Sequence, residues 1–334
     1  MKRNKTLTQK TVWFRADGNS QTGLGHIYRC LALIEMVRDE AEIVFVIRKP
    51  TIEVENLIKA YCENIIILEE GDYQLEAIEF SKKITSDNII VLDGYKFDTA
   101  YQKSIKKSGA RIVCVDDIHA YHFVADAVIN HAGGISTAQY DVEFYTQLYL
   151  GPLFSIVRSV FWEKPSIENR LLNNVLICLG GADPNNELII VLKKSIEKEA
   201  YLNYQIVTGS AYKYEGDLLE LISNNKNVMH YKNIDALTLR TIMQKSSIAI
   251  CSPSTVSYEY LSVGGELYLH PIANNQKDIY NYFIQKGLAF PFEKFRINDE
   301  QQIQMAKKEQ EKVFDGKSYQ RLKKIILNED NSSL

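Results

Sequence analysis

No pair of cysteines is spaced for a zinc or redox motif. The five present, Cys30, Cys62, Cys114, Cys178 and Cys251, are an odd number, widely separated and without any Cys-x-x-Cys. Cys114 and Cys178 sit inside the apolar runs "RIVCV" and "NVLICLGG", so the pattern reads as buried free thiols of a reducing compartment. The basic start "MKRNKTLTQK" is not followed by the apolar core of a signal peptide, and no apolar run approaches the length of a membrane span. A cytoplasmic protein without a membrane span is expected. Positive charge is not in excess either. With 39 Lys and Arg against 42 Asp and Glu the formal charge is −3, which leaves no basic stripe for nucleic acid. A polyanionic ligand would need a local site.

What remains is the composition of an ordinary globular protein, 46% hydrophobic and 24% charged, at a length of 334 residues that suits two domains. In the first half, the short β-branched runs "TVWFRA", "EIVFVI", "NIIIL", "NIIVLDG", "ARIVCVDD" and "DAVIN" alternate with amphipathic segments such as "HIYRCLALIEMVRDE" and "YQLEAIEFSKKI". That alternation predicts right-handed βαβ units and a parallel sheet. The pattern breaks at "GPLFSIVRSVFWEKPSIENR" and a second series follows: "NVLICLGG", "YQIVTG", "NVMHY", "SIAICS" and "ELYLHP". The fold class expected is α/β, with two Rossmann-like domains whose parallel sheets face each other across a cleft. The boundaries are 1–155 and 170–334, with a linker at 156–169. Ligands of such sheets bind beyond the carboxyl ends of the strands, so chemistry is sought in the loops that follow them.

The first of those loops is "RADGNSQTGLGHIYRCLAL". A dinucleotide fingerprint needs three glycines and an acid after the second strand. Here Tyr28 stands where the third glycine belongs, and the second strand ends "VIRKP". A nicotinamide cofactor is therefore rejected. What is left is a Gly23-x-Gly25 turn ending in His26 at the start of a helix. The positive end of a helix dipole disfavours an imidazolium, and a neutral His there is a competent general base. The alternative is a His that caps or packs.

The same stretch resembles the N-terminal motif of the UDP-sugar hydrolases of pseudaminic acid biosynthesis, which act on UDP-2,4-diacetamido-2,4,6-trideoxy-β-L-altropyranose and have a GT-B fold like glycosyltransferases. The resemblance continues through "VLDGYKF", "VDDIHAYHFVADAVINHAG" and "LGPLFSIVR", then "ICLGGADPNN", "PSTVSYE" and "ANNQKDIYNYFIQKGLA". It runs from about residue 11 to about 290. It implies that His26 is the base that activates water, and that Asp17, Gly23 and Gly25 shape the sugar pocket. It also implies that Asp93, Tyr95, Asn130 and His131 lie at the substrate edge; ordinary polar loop residues are the alternative for these four. The cluster Asp116, Asp117, His119, His122 invites a metal, but the resemblance implies none and the spacing is not that of an open site.

In the second half Gly180 and Gly181 follow an apolar strand and precede a helix, a turn whose amides can cradle a diphosphate. In "CSPSTVSYEYL", Ser254 and Thr255 cap a helix. The resemblance places Glu259 on both ribose hydroxyls, with a solvent-facing helical Glu as the alternative, and Asn275 and Gln276 near phosphate or sugar. Two departures stand out. Ser252-Pro253 replaces an expected Gly-Gly, with a proline that has no amide to donate. Gly264-Gly265-Glu266 replaces Gly-Leu-Pro. The residues beyond 290 read as two charged helices of the scaffold.

The function expected is inverting, metal-independent hydrolysis of a UDP-linked diacetamido-trideoxy-hexose, with no cofactor and the UDP-sugar as the one small-molecule partner. Nothing in the sequence specifies an oligomeric state. A GT-B glycosyltransferase and a non-catalytic UDP-sugar-binding protein are the rival readings.

Overall fold

The apolar runs of each half become the strands of one parallel sheet. A computed structural model describes residues 10–18, 23–162, 171–181, 183–296 and 300–329. The chain divides into two compact units, the first made of the described residues of Met1–Asn130, Ser136–Leu150 and Tyr319–Leu334, the second of those of His131–Ile135 and Gly151–Ser318. This differs from the expected boundaries. Residues 151–162 belong to the second unit and are not linker, and the chain returns to the first unit at its end. Residues 163–169 of the expected linker lie outside the described residues.

The first unit runs β1 (Lys10–Ala16), α1 (Gly25–Val37), β2 (Ala41–Arg48), α2 (Ile52–Lys59), β3 (Asn64–Leu68), α3 (Tyr73–Ser81), β4 (Asn88–Asp93), α4 (Thr99–Lys106), β5 (Arg111–Val115), β6 (Ala127–Asn130) and β7 (Gln147–Leu150). The seven strands lie in the order β3-β2-β1-β4-β5-β6-β7. Parallel strands covered on both faces are apolar along their whole length, and β4 is buried at every residue from Ile89 to Asp93. Helices start where a side chain can hold their first amides: Asp72 accepts from the Gln74 and Leu75 N–H groups, and Asp98 from that of Tyr101.

The second unit runs β8 (Leu171–Cys178), α5 (Glu187–Lys198), β9 (Asn203–Thr208), α6 (Glu215–Ser223), β10 (Val228–Lys232), α7 (Ala236–Lys245), β11 (Ser246–Cys251), α8 (Thr255–Val263), β12 (Glu266–Leu269), α9 (Lys277–Gln285), β13 (Phe290–Pro291) and α10 (Glu300–Val313). The strand order is β10-β9-β8-β11-β12-β13. Successive strand residues point to opposite faces. Leu176, Cys178, Ala249, Cys251, Leu267 and Leu269 therefore pack into one core, and Val175, Ile177, Ile248, Ile250 and Tyr268 into another. The last helix, α11 (Ser318–Leu327), is tied to the first unit: Arg111 Nη2 donates to the Ile325 carbonyl at 3.2 Å, and Lys323 pairs with Glu40. No helix among the described residues is long and apolar enough to cross a membrane.

Each sheet has one place where the order of strands reverses, between β1 and β4 in the first and between β8 and β11 in the second. Loops leave such neighbouring strands in opposite directions and open a crevice at their carboxyl ends.

Candidate active site

At the β1/β4 reversal, α1 begins at Gly25, after Gly23 has taken φ +84°. Among the described residues nothing stands within 4 Å of a Cβ placed on either glycine. Leu24 occupies the N-cap position without a side-chain hydrogen bond, and the first turn of α1 holds no acid. Residues 19–22 of the loop lie outside the described residues. His26 is the second residue of α1, and its Nδ1 lies 2.7 Å from Oδ1 of Asp93, the last residue of β4. Arg29 follows three residues later and so shares its face of the helix. Its Nε and Nη2 donate to the two Asp93 oxygens at 2.9 and 2.6 Å, and its Nη1 donates to Asp117 Oδ2 at 2.8 Å.

Arg29 Nη2 also lies 2.8 Å from His26 Nδ1. Nδ1 cannot both accept from the guanidinium and donate to the carboxylate. A bare Nδ1 lone pair 2.7 Å from a carboxylate oxygen would be repulsive, so we assign the proton to Nδ1, donated to Asp93. Nε2 then carries the lone pair. The His26 side chain retains 15% of its exposure, and the Tyr95 ring meets the imidazole edge-on at 4.8 Å. Burial pushes the wholly buried Asp93 carboxyl up, but the charge of Arg29 and the hydrogen bonds from His26 and Arg29 outweigh it and hold the group below the usual carboxylate range. Burial likewise works against the Arg29 cation, and Asp93 and Asp117 overcome it.

His26, Asp93 and Tyr95 are thus brought together. Asp17 is not among them. Its carboxylate accepts from Arg15 Nη1 and Nη2 at 2.5 and 2.8 Å, from the Arg48 N–H at 2.9 Å and from the Tyr73 hydroxyl at 3.0 Å. Glu76 completes that network with Arg15, Arg48 and Tyr101. Asp17 therefore anchors the base of the loop. Asn130 and His131, expected side by side, fall in different units. Asn130 is buried and donates to the Tyr140 hydroxyl, which donates in turn to Asp116. His131 is buried, stacked on Tyr258 at 4.6 Å, and its Nδ1 accepts the Ile156 N–H at 3.3 Å. It is a packing residue. The "DDIHAYH" cluster disperses as well: Asp117 binds Arg29, Asp116 accepts the His119 N–H, and His122 bonds Asp141 and Glu143.

At the β8/β11 reversal, Gly180 takes φ +100° and Ser252 Oγ would lie 3.9 Å from a Cβ placed there. A Cβ on Gly209 would fall 2.6 Å from the Gly181 Cα, so this turn rests on a close approach of two backbones. The helix that follows is closed to an anion. The buried Asp183 carboxylate already accepts the Glu187 and Leu188 N–H groups at the start of α5, at 3.0 and 2.8 Å. An anion at the Gly180–Gly181 turn therefore does not meet these two amides. The start of α8 differs. Ser254 is at its N-cap position, but its Oγ meets Ser252 Oγ at 2.9 Å, and no side chain caps the helix; the expected capping by Ser254 and Thr255 is not what forms. Thr255 is the first helical residue.

Glu259 is neither free nor solvent-facing. Its side chain is 2% exposed, and Arg158 Nε and Nη2 donate to its two oxygens at 2.6 and 2.7 Å. A parallel fork of this kind fills the edge of the carboxylate that a vicinal diol would grip. Asn275 is exposed at the turn before α9, whereas the Gln276 carbonyl accepts the Ile272 N–H at 2.8 Å and closes that turn. Arg29, Asp117 and Arg158 went unassigned in the sequence. The His26-to-Arg29 spacing was the one signal that could have found any of them.

No family model matches the chain. It is 26% identical over 284 residues to an uncharacterized protein of Methanocaldococcus jannaschii, covering 81% of this chain but only 57% of that protein. It is 23% identical over 288 residues to the UDP-2,4-diacetamido-2,4,6-trideoxy-beta-L-altropyranose hydrolase of Campylobacter jejuni, covering 83% and 97% of the two. To the spore coat polysaccharide biosynthesis protein SpsG of Bacillus subtilis the identity is 24% over 286 residues, covering 82% and 81%. Among solved structures, MurG of Acinetobacter baumannii superposes with a TM-score of 0.61 at 15% identity, covering 96% of this chain and 99% of that one. The glycotransferase of kitacinnamycin gives 0.66 at 10% identity, with the same coverage. The chain therefore has the GT-B fold, with two α/β units built on parallel sheets.

Proposed function

We propose that the protein hydrolyses a UDP-linked diacetamido-trideoxy-hexose, UDP-2,4-diacetamido-2,4,6-trideoxy-β-L-altropyranose, to free sugar and UDP, a step towards pseudaminic acid. The observation that carries the reading is the His26–Asp93 pair at the β1/β4 reversal, with Nε2 as the basic nitrogen. Water loses its proton to Nε2 as its oxygen attacks the anomeric carbon. Asp93, fixed by Arg29, orients the ring and stabilises the imidazolium that forms, the part a carboxylate plays behind a catalytic histidine. The C1–O bond breaks, its electron pair leaves on the β-phosphate oxygen of UDP, and the anomeric centre inverts. Tyr95, edge-on to the imidazole, borders the sugar, and Asp17 keeps the loop in place.

In the second unit the uncapped start of α8, the Gly180–Gly181 turn and the Ser252 and Ser254 hydroxyls receive the nucleotide's negative charge, with Asn275 nearby at the α9 turn. No step is routed through a metal ion or a cofactor. The similarity to the Campylobacter hydrolase supports the substrate class. The structural likeness to transferases favours a second reading, transfer of the sugar to an acceptor other than water.

The test is UDP release from that UDP-sugar without acceptor and with EDTA present, alongside UDP-GlcNAc and His26→Ala. Release that disappears in the variant supports hydrolysis. UDP that appears only after an acceptor is added supports transfer.

A further inference from the structure

The loop after β5 carries two adjacent carboxylates with separate jobs. Asp116 is buried and shapes the loop. It accepts the N–H groups of Ile118 and His119 at 3.3 and 2.8 Å and the Tyr140 hydroxyl at 2.7 Å. Asn130 donates to that hydroxyl at 2.8 Å, and the Asp116 N–H donates to the Ile129 carbonyl of β6 at 2.9 Å. Asp117 is thereby held beyond the end of β5, with Oδ2 accepting from Arg29 Nη1 at 2.8 Å. Its Oδ1 is buried and has no hydrogen-bond partner among the described residues. Among those residues, Arg29 is therefore the cation that balances its charge.

Arg29 stands between two carboxylates, with Nε and Nη2 on Asp93 and Nη1 on Asp117. One cation against two anions leaves an excess negative charge while His26 is neutral, and a balanced group once His26 takes a proton. The Asp93 side chain is fully buried and that of Asp117 is 13% exposed, so water screens these charges weakly. The other groups around them are the Tyr95 ring on the imidazole, Cys30 on α1, and Asp116, His119, Tyr121 and Tyr140 about the loop. Burial raises the Cys30 thiol and the Tyr121 and Tyr140 hydroxyls, which keeps all three uncharged at neutral pH.

Resting on the role given to His26 above, we propose that Asp117 is a positioning residue of the base. It pins Arg29 behind Asp93 and supplies the negative charge that the imidazolium balances as water loses its proton. The "DDIHAYH" loop then serves proton transfer, although it touches neither the imidazole nor the reacting atoms.

The test is Asp117→Asn, which keeps an oxygen for Arg29 and removes the charge. The imidazolium is then less favoured, so the NMR titration midpoint of His26, read without substrate, should fall by on the order of one unit. The neutral imidazole is the active form, so the acid limb of kcat/KM should move to lower pH with it. At the plateau kcat should fall about 3- to 10-fold, because a weaker base takes the proton less readily, with KM within about twofold. Asp117→Glu restores the charge and returns the limb towards wild type. Tyr140→Phe loosens the loop without changing its charge, and lowers kcat with the limb in place. In the wild type, the ¹³C carboxyl signal of Asp117 should shift over the same pH range as His26, which tests the coupling even if Asp117→Asn unfolds. A midpoint unmoved in Asp117→Asn, a limb that moves equally in Tyr140→Phe, or an Asp117 signal indifferent to His26 would overturn the assignment. A shifted midpoint in a protein that releases no UDP would leave the coupling standing and overturn the hydrolase reading instead.

Discussion

The two strand-order reversals occupy the same place in two similar sheets but carry different chemistry. At β1/β4 the side chains are ionisable and interlocked: His26, Asp93, Arg29 and Asp117 form a continuous run of hydrogen bonds. At β8/β11 they are glycines, serine hydroxyls and a helix start without a side-chain cap among the described residues, with Glu259 of the same helix paired to Arg158. The first arrangement suits moving a proton, because a fixed carboxylate and a fixed cation set the tautomer of one imidazole. The second suits holding an anion, because amides and hydroxyls approach it without bringing a base. One topology thus serves two tasks, and the loop residues decide which.

Removing the proton acceptor should separate the two regions most strongly. His26→Ala should lower turnover roughly 100- to 10,000-fold, the range for loss of a positioned general base, while UDP affinity stays at the wild-type value. Equal loss of both would mean that the two regions do not divide the work. Next comes the interlocking itself. Arg29→Met leaves Asp93 buried without its strongest partner and should destabilise the fold by about 3–5 kcal/mol in urea unfolding. The double variant Arg158→Met/Glu259→Gln, which removes both charges of its pair, should lie much nearer wild type. A smaller effect is expected at the glycine turn. Gly209→Ala pushes a methyl group against the Gly181 backbone and should cost about 1–3 kcal/mol, with weaker UDP binding and an unchanged His26 environment by NMR.

The smallest effect concerns His122, which lies outside both regions. Its bonds to Asp141 and Glu143 raise its pKa above the ordinary value. A raised folded-state pKa stabilises below the unfolded value of about 6.5, and that contribution is lost as pH rises through the folded value. The group is largely solvated, so the stability change should be slight. Its NMR titration midpoint should nonetheless lie above that of a free imidazole and return towards it in Asp141→Asn/Glu143→Gln.

Much of this was legible in the sequence because period and turn chemistry are local. The β-branched runs from "TVWFRA" to "DAVIN" and from "NVLICL" to "ELYLHP" all became strands, and the Gly-x-Gly turn ended in a helical His26. Two edge strands escaped. β7 is four residues long, and β13 has only two, one of them a proline, which a sheet tolerates at its margin. Long-range pairing was not legible. Asp93 is 67 residues from His26, and Glu259 is 101 from Arg158. Neither pairing has a local signature. The role of Asp183 was not legible either, because a carboxylate two residues past Gly181 and one before a proline is equally consistent with an open loop. Only the folded backbone shows it accepting the α5 amides. The passage of the chain from one unit to the other between Asn130 and His131 likewise depends on what packs against each residue.

The proposed hydrolysis turns on one step, attack at the anomeric carbon by water deprotonated at the β1/β4 reversal. It is tested most directly by running the reaction in ¹⁸O-water without acceptor and following the first-formed sugar by NMR and mass spectrometry. One ¹⁸O atom at C1 of the sugar, an inverted anomer before mutarotation, and unlabelled UDP are expected. Label in the phosphate of UDP, or a retained anomer, would contradict it.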